Sequence, residues 1–131
     1  MKSGIVFVGN NVFESLFAIS SDEQSKGLMN IKPPVPIMSF VYDKPQINKF
    51  WMHNTPSPLD IVFCSNGNVI QIDRGIPFST TIIGSDRLTD LVIEFPPGII
   101  NSNMLGNKCG ILDPSPAELK KIIFQKYSGN F

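Results

Sequence analysis

Short apolar runs separated by turn-forming residues recur along the chain and predict a series of β-strands. The segment 59–65 is apolar on both faces, which is typical of a strand inside a sheet. Asn66-Gly67 follows it directly, and this dipeptide favours a β-hairpin because type I′ turns need positive φ at both central residues. The predicted strands lie at residues 5–8, 12–13, 37–42, 59–65, 69–73 and 90–95, with a turn and a closing strand within 99–111.

The alternation of side chains along a strand predicts which residues share a face. In the strand 69–73, Ile70 and Ile72 are predicted on one face, with the polar residues on the other. In the strand 90–95, Glu94 is predicted on the face opposite to three apolar residues. That strand therefore places the Glu94 carboxyl between two apolar residues. The three apolar residues are Leu91, Ile93 and Phe95.

Capping residues predict two helices. Near residues 21–27, Ser21 is predicted as the N-cap, and Gln24 three positions later completes a capping box. Near residues 116–127, Ser115 is the predicted N-cap, and the apolar residues that follow have the spacing of one helical face. That face comprises Leu119, Ile122, Ile123 and Tyr127.

The composition favours strands over helices. The chain has 17 Ile and 8 Val but only 2 Ala. Ile and Val suit pleated strands, whereas Ala is the best helix former. We therefore predict a mainly β, β-rich α+β fold, with a small barrel-like or sandwich-like sheet. The 131 residues are predicted to form a single domain, 1–131, since this length is typical of one domain.

The charge balance excludes several classes of partner. With 11 Lys and Arg against 11 Asp and Glu, the formal net charge is zero, so neither nucleic acid nor an anionic membrane is an expected partner. The chain contains no apolar run of the ~18–20 residues that a transmembrane helix needs. Its first apolar run, 5–8, is shorter than the core of a signal peptide. A cytoplasmic location is therefore expected.

The few cysteine and histidine residues do not form a metal motif. The chain has two cysteines, Cys64 and Cys109, outside any CxxC pattern, and one histidine. Zinc sites need clustered Cys and His ligands, so no metal or cofactor site is expected. We interpret the cysteines as buried reduced thiols. A single disulfide between them stays open, because the sequence does not give their distance.

A candidate site lies where aromatic and polar residues cluster, between residues 50 and 60. This segment contains the only Trp and the only His of the chain. Asp60 follows it within an apolar strand, where a carboxylate is either a structural acceptor for buried N–H groups or a functional group, and Glu94 poses the same question. Trp51 is either a core residue or a ligand platform. The candidate site residues are Trp51, Met52, His53, Asn54, Thr55, Asp60 and Glu94.

The same segment resembles a known family. Residues 50–63, F-W-M-H-N-T-P-S-P-L-D-I-V-F, are similar to the central motif of the DUF192 family, F-W-M-K-N-T-x-x-P-L-D-I-x-F. The resemblance extends over about residues 12–111 and leaves 112–131 as a C-terminal helical extension. It implies a small, barrel-like, mainly β fold and no assigned function. His53 stands where the family usually has Lys, so a catalytic histidine is not a property that the resemblance implies.

Three functional hypotheses follow from these observations. The first is a binding module whose polar and aromatic cleft takes a small polar or sugar-like ligand. The second is a protein-interaction module that uses the C-terminal helix or an edge strand to bind a protein partner. The third is a hydrolase in which Asp60 and Glu94 act as an acid–base pair, which requires the two carboxyls to share one cleft.

Overall fold

The computed structural model describes the backbone of residues 1–128 and the side chains of residues 1–115 and 117–123. The helices in this part of the chain are α1 (Ser21–Lys26) and α2 (Pro116–Ser128), with a 3-10 turn at Ser102–Met104. The strands are β1 (Lys2–Val8), β2 (Asn11–Ala18), β3 (Met38–Gln46), β4 (Lys49–Phe50), β5 (Leu59–Ser65), β6 (Asn68–Gly75), β7 (Ile83–Gly84), β8 (Thr89–Phe95) and β9 (Cys109–Asp113).

Seven of these strands form one curled sheet, in the order β6-β5-β8-β3-β2-β1-β9, which has the shape of a half-barrel. Strands β2 and β3 pair in parallel, with α1 in the connection between them, and the other neighbours are antiparallel. Strands β4 and β7 form a separate two-stranded ribbon. The predicted mainly β fold class is confirmed.

The sheet is covered on both faces, and a separate apolar cluster lies on each. Along β8, Ile93 packs in the first cluster, where side chains of α2 also lie, and Val92 packs in the second, beside Leu28 and Val35 of the segment after α1. Because neither face of β5 meets solvent, its residues from Leu59 to Cys64 are all buried. Burial on both faces explains why β5 and β8 are so rich in apolar residues.

Several local predictions are confirmed. Asn66 and Gly67 join β5 to β6 with φ values of 49° and 79°, as a type I′ turn requires. The three apolar residues predicted to share a face of β8 lie together in the first cluster. Helix α2 begins with the Ser115 hydroxyl accepting the Glu118 N–H at 3.2 Å. The described part of its apolar face packs against the first cluster, whereas the predicted contact of Tyr127 lies outside the described side chains.

The predicted common face of Ile70 and Ile72 is wrong. In the β5–β6 ladder Gln71 lies opposite Phe63, but Val69 lies opposite the next residue of β5. Ile70 is therefore the extra residue of a β-bulge, which interrupts the alternation of faces. As a result Ile70 packs against the second cluster and Ile72 against the first.

The two cysteines are free and buried in the first cluster, as the interpretation of reduced thiols predicts. The side chain of Cys109 hydrogen-bonds to Cys64, and this contact together with burial raises the pKa of the Cys64 thiol. Both thiols therefore belong to the packing of the core. Of the helices in the described chain, none has the length and apolar character that crossing a membrane requires.

The structure also corrects the predicted N-cap of α1. The cap is Ser20, whose hydroxyl accepts the Glu23 N–H at 3.1 Å, while the Glu23 carboxylate accepts the Ser20 N–H at 3.0 Å. This reciprocal capping box lies one residue before the predicted pair of Ser21 and Gln24. The Gln24 amide donates instead to backbone carbonyls of β2 and β3, which ties α1 to the sheet.

Two neighbouring serines provide a matched test of this cap. We expect Ser20→Ala to lower the free energy of unfolding by about 1 kcal/mol, since the Glu23 N–H loses its acceptor at the helix start. Ser21→Ala should leave it nearly unchanged, because Ser21 already lies inside the helix. Urea denaturation of both variants measures the difference. An equal loss in the two variants would contradict the assignment of Ser20.

Candidate functional site

A cavity of about 700 Å³ opens between α1 and the far ends of β3 and β4. One wall comes from α1 and the turn after it, and the opposite wall comes from β4 and the residue that follows, Trp51. Phe40 and Phe50 also line the cavity, with their rings edge to face and their centroids 5.1 Å apart. The cavity thus combines an aromatic surface with polar groups at its rim, which is the usual composition of a small-molecule site.

Glu94 is the buried acid of this cavity. It projects from β8 opposite Ile61 of β5, on the face of the second cluster, and is only 4% exposed. Burial raises the pKa of its carboxyl from 4.5 to about 8, so the group is protonated at neutral pH. Among the described residues, none forms a hydrogen bond with this carboxyl, although it lines the cavity.

Tyr42 is the second titratable group in the interior of the cavity. It lies on β3, the strand that pairs with β8. Burial raises the pKa of its hydroxyl, and the negative charge that Glu94 would carry raises it further. The hydroxyl is therefore a hydrogen-bond donor at neutral pH. Glu94 and Tyr42 together place two protonated groups on the inner wall.

Asp60 lies on the other face of the sheet. It precedes Ile61 on β5, and since Ile61 shares the face of Glu94, alternation directs the Asp60 carboxyl to the opposite side. There its Oδ1 pairs with Arg74 at 3.3 Å, while its buried Oδ2 has no partner among the described residues. Asp60 does not line the cavity. The two carboxyls share no cleft, and the hypothesis of an Asp60–Glu94 acid–base pair is wrong.

The residues between 51 and 55 divide between the cavity and the core. Trp51 is 46% exposed and lines the cavity, with its ring 4.8 Å from that of His53. Thr55 also lines it and donates its hydroxyl to the His53 carbonyl at 3.1 Å. Met52 is buried in the second cluster, and Asn54 is exposed at a turn with a φ of 54°. Of the candidate residues, the structure brings Trp51, Thr55 and Glu94 together at the cavity.

Several residues that line the cavity were not among the candidate site residues predicted from the sequence. Lys26 and Lys49 lie on opposite walls, and Tyr42 lies on the inner one. Asn48 braces the β4 wall, because its amide donates to the Thr89 hydroxyl at 2.7 Å and to the Thr89 carbonyl at 3.1 Å. The position of Tyr42 at the end of a predicted apolar strand was an available signal, whereas the lysines had none. Among the described residues, no group of three or more His, Cys, Asp or Glu side chains could hold a metal ion.

Comparison with known proteins identifies relatives but no activity. Residues 5–109 match the model of the DUF192 family, described as uncharacterized ACR. A crystal structure of a protein of unknown function from Novosphingobium aromaticivorans DSM 12444 is 30% identical, with a TM-score of 0.74, covering 82% of this chain and 84% of that one. A candidate transcription regulator from Sinorhizobium meliloti 1021 is 21% identical, with a TM-score of 0.75, covering 85% and 94%. No curated protein matches the sequence.

The raised pKa of Glu94 predicts how stability depends on pH. The folded chain holds this proton up to about pH 8, whereas the unfolded chain releases it near 4.5. The contribution of Glu94 to stability is therefore greatest below pH 4.5, falls as the pH rises to 8, and then stays constant. The Gln side chain of Glu94→Gln stays neutral throughout. Between pH 4.5 and 8 the free energy of unfolding of this variant should therefore rise relative to that of the wild type. The rise is at most roughly 5 kcal/mol, since one pKa unit corresponds to about 1.4 kcal/mol.

Thermal unfolding of wild type and Glu94→Gln from pH 4 to pH 9 measures this difference. Glu14→Gln is the matched control, because Glu14 is exposed on β2 and should track the wild type at every pH. A difference between Glu94→Gln and the wild type that does not change with pH would contradict the raised pKa.

Proposed function

Since the chain belongs to the DUF192 family, which carries no assigned activity, we propose a function from the geometry of its cavity. We propose that this protein is a module that binds a small polar ligand. The ligand occupies the space between α1 and β4, with Trp51 at the entrance. The binding groups are Trp51, Thr55 and Glu94 from the original candidates, joined by Tyr42. Met52 and Asn54 support the loop that carries Trp51, and His53 packs beside the Trp51 ring.

The observation that carries this proposal is the buried carboxyl of Glu94. A buried polar group normally has a hydrogen-bond partner, because leaving it unpaired costs about 1–3 kcal/mol. In the described protein Glu94 has none and lines an open cavity instead. A ligand acceptor in the cavity would satisfy this donor, so the unpaired group favours a site for a polar molecule.

The aromatic residues support the same proposal. Trp51 is 46% exposed although large aromatic side chains are usually well buried. At the cavity entrance its ring offers a flat face on which the body of a ligand can stack. Phe50 contacts Phe40 and Phe63 edge to face, at 5.1 and 5.9 Å between ring centroids, and these contacts fix the floor of the site.

The alternative functions have less support. Leu119, Ile122 and Ile123 of α2 pack against the first cluster, so the described part of this apolar face is already occupied and is not free to dock a partner. Hydrolysis by two carboxyls does not fit a cavity whose described lining contains one. The Sinorhizobium protein is described as a candidate transcription regulator, which would suggest nucleic-acid binding. The net charge of this chain is zero, however, and provides little attraction for phosphates.

The proposal is tested by protein-observed NMR of the 15N-labelled chain with a library of small polar compounds at millimolar concentrations. The library contains matched neutral, carboxylate and ammonium compounds on sugar and benzene rings. Because Trp51 is the only tryptophan, its indole signal reports directly on the entrance of the cavity. Compounds that bind and shift this signal support the proposal. If no compound in the library shifts it, the proposal is wrong.

We expect Trp51→Ala to weaken the binding of benzene-ring compounds roughly fivefold, since an aromatic pair contributes about 0.5–1.5 kcal/mol beyond the area that it buries. Leu112→Ala is the control, because Leu112 is comparably exposed on β9 and does not line this cavity. Isothermal titration calorimetry measures both variants. Equal affinities for wild type and Trp51→Ala would place the ligand elsewhere.

A further inference from the structure

We propose that the cavity selects a small organic carboxylate with a flat or ring-shaped body, and that the Glu94 carboxyl donates a hydrogen bond to the bound carboxylate. This inference rests on the proposed function and specifies its ligand. It depends on the charge and hydrogen-bonding state of each polar group that lines the described cavity. Two lysines, the Tyr42 hydroxyl and the protonated Glu94 carboxyl can all donate to a ligand in the cavity, and an acceptor-rich anion is the chemistry that these four groups fit.

The charges at the rim have one sign. Lys26 lies at the end of α1, and Lys49 lies across the cavity on β4. Among the described lining residues, Glu94 is the one carboxyl. The ion pairs of the described chain involve Arg74 and Arg87, and neither rim lysine has a carboxylate partner. With Glu94 protonated, the cavity therefore presents two positive charges and no negative one to an entering molecule.

The amides of the cavity are already engaged. The Gln24 amide donates to the carbonyls of Ala18 and Val41 at 3.1 and 2.9 Å. The Gln46 amide donates to Asn48 Oδ1 at 2.8 Å, and the Asn48 amide donates to Thr89. These bonds leave Tyr42 and Glu94 as the donors of the inner wall that are free to reach a ligand. Two neutral donors beside an anion form charge-assisted hydrogen bonds, which are about twice as strong as neutral ones.

The burial of Glu94 favours a monoanion over a phosphate. The two rim lysines and the two inner donors can offset one negative charge on the ligand, whereas the surroundings that keep the Glu94 carboxyl neutral disfavour a second one. A carboxylate carries one charge and accepts two hydrogen bonds side by side, one for each inner donor. The exposed Trp51 ring then covers the flat body of the molecule at the entrance.

Proton linkage gives this site a particular pH dependence. The titratable groups of the described lining are Glu94, Tyr42 from β3, Lys26 from α1 and Lys49 from β4. Since burial holds the pKa of Glu94 near 8, more alkaline solutions ionise it. The resulting carboxylate repels the ligand and no longer donates. Affinity for a carboxylate should therefore fall about tenfold between pH 7 and pH 9.

The experiment compares four benzene-ring probes by calorimetry at pH 7: benzoate, benzamide, benzylamine and phenyl phosphate. Benzoate should bind about tenfold more tightly than its neutral isostere benzamide, with benzylamine weakest. Tighter binding of benzamide or benzylamine overturns the inference and leaves the proposed function intact. Tighter binding of phenyl phosphate shows a phosphate site and also overturns it. If none of the probes binds, the ligand class is wrong, while the broader library still decides the proposed function.

Variants separate the roles of the charged groups. Lys26→Gln and Lys49→Gln should each weaken benzoate binding about fivefold without changing benzamide binding, since only the anion loses a charge interaction. Lys120→Gln, on the exposed side of α2, should change neither. Glu94→Gln should bind benzoate at pH 7 and lose the decline in affinity towards pH 9. A decline that persists in Glu94→Gln, or lysine variants that bind benzoate normally, would overturn the inference.

Discussion

The structure depends on one constraint: strands β5 and β8 are buried on both faces, so any polar side chain that they carry must find a partner or an opening. Asp60 meets it in part, because its Oδ1 pairs with Arg74 while its buried Oδ2 has no partner among the described residues. Glu94 meets it differently, because its carboxyl reaches the cavity rather than a protein partner. The site is therefore a consequence of placing an ionisable residue in the most buried strand pair of the fold.

The same sheet decides which residues can cooperate. Because side chains alternate along a strand, the pairing of Ile61 with Glu94 places Asp60 on the opposite face. The Asp60 carboxyl then lies on the face of the first cluster, and the Glu94 carboxyl lies at the cavity on the face of the second. A single acid held neutral by burial, next to a tyrosine hydroxyl, suits recognition of an acceptor better than a reaction that needs an acid and a base together.

Local signals in the sequence predicted much of the fold and only part of the site. The Asn66-Gly67 hairpin, the faces of β8 and the start of α2 depend on neighbouring residues, and the structure confirms them. The bulge at Ile70 and the cap at Ser20 were missed, because an extra residue or a one-residue shift leaves the pattern almost unchanged. The lysines of the cavity had no signal, since only the long-range fold places α1 and β4 around the same cavity.

The cavity is formed without a ligand, because side-chain hydrogen bonds attach both of its walls to the sheet. The Gln24 side chain joins α1 to both β2 and β3, and the Asn48 side chain joins the β4 wall to β8 through Thr89. Each wall is therefore fixed to the sheet that carries Glu94. A ligand entering such a site does not have to order a loop, so less of its interaction energy is lost to conformational entropy. The Gln24 and Asn48 bonds thus attach both walls of the proposed site to one sheet.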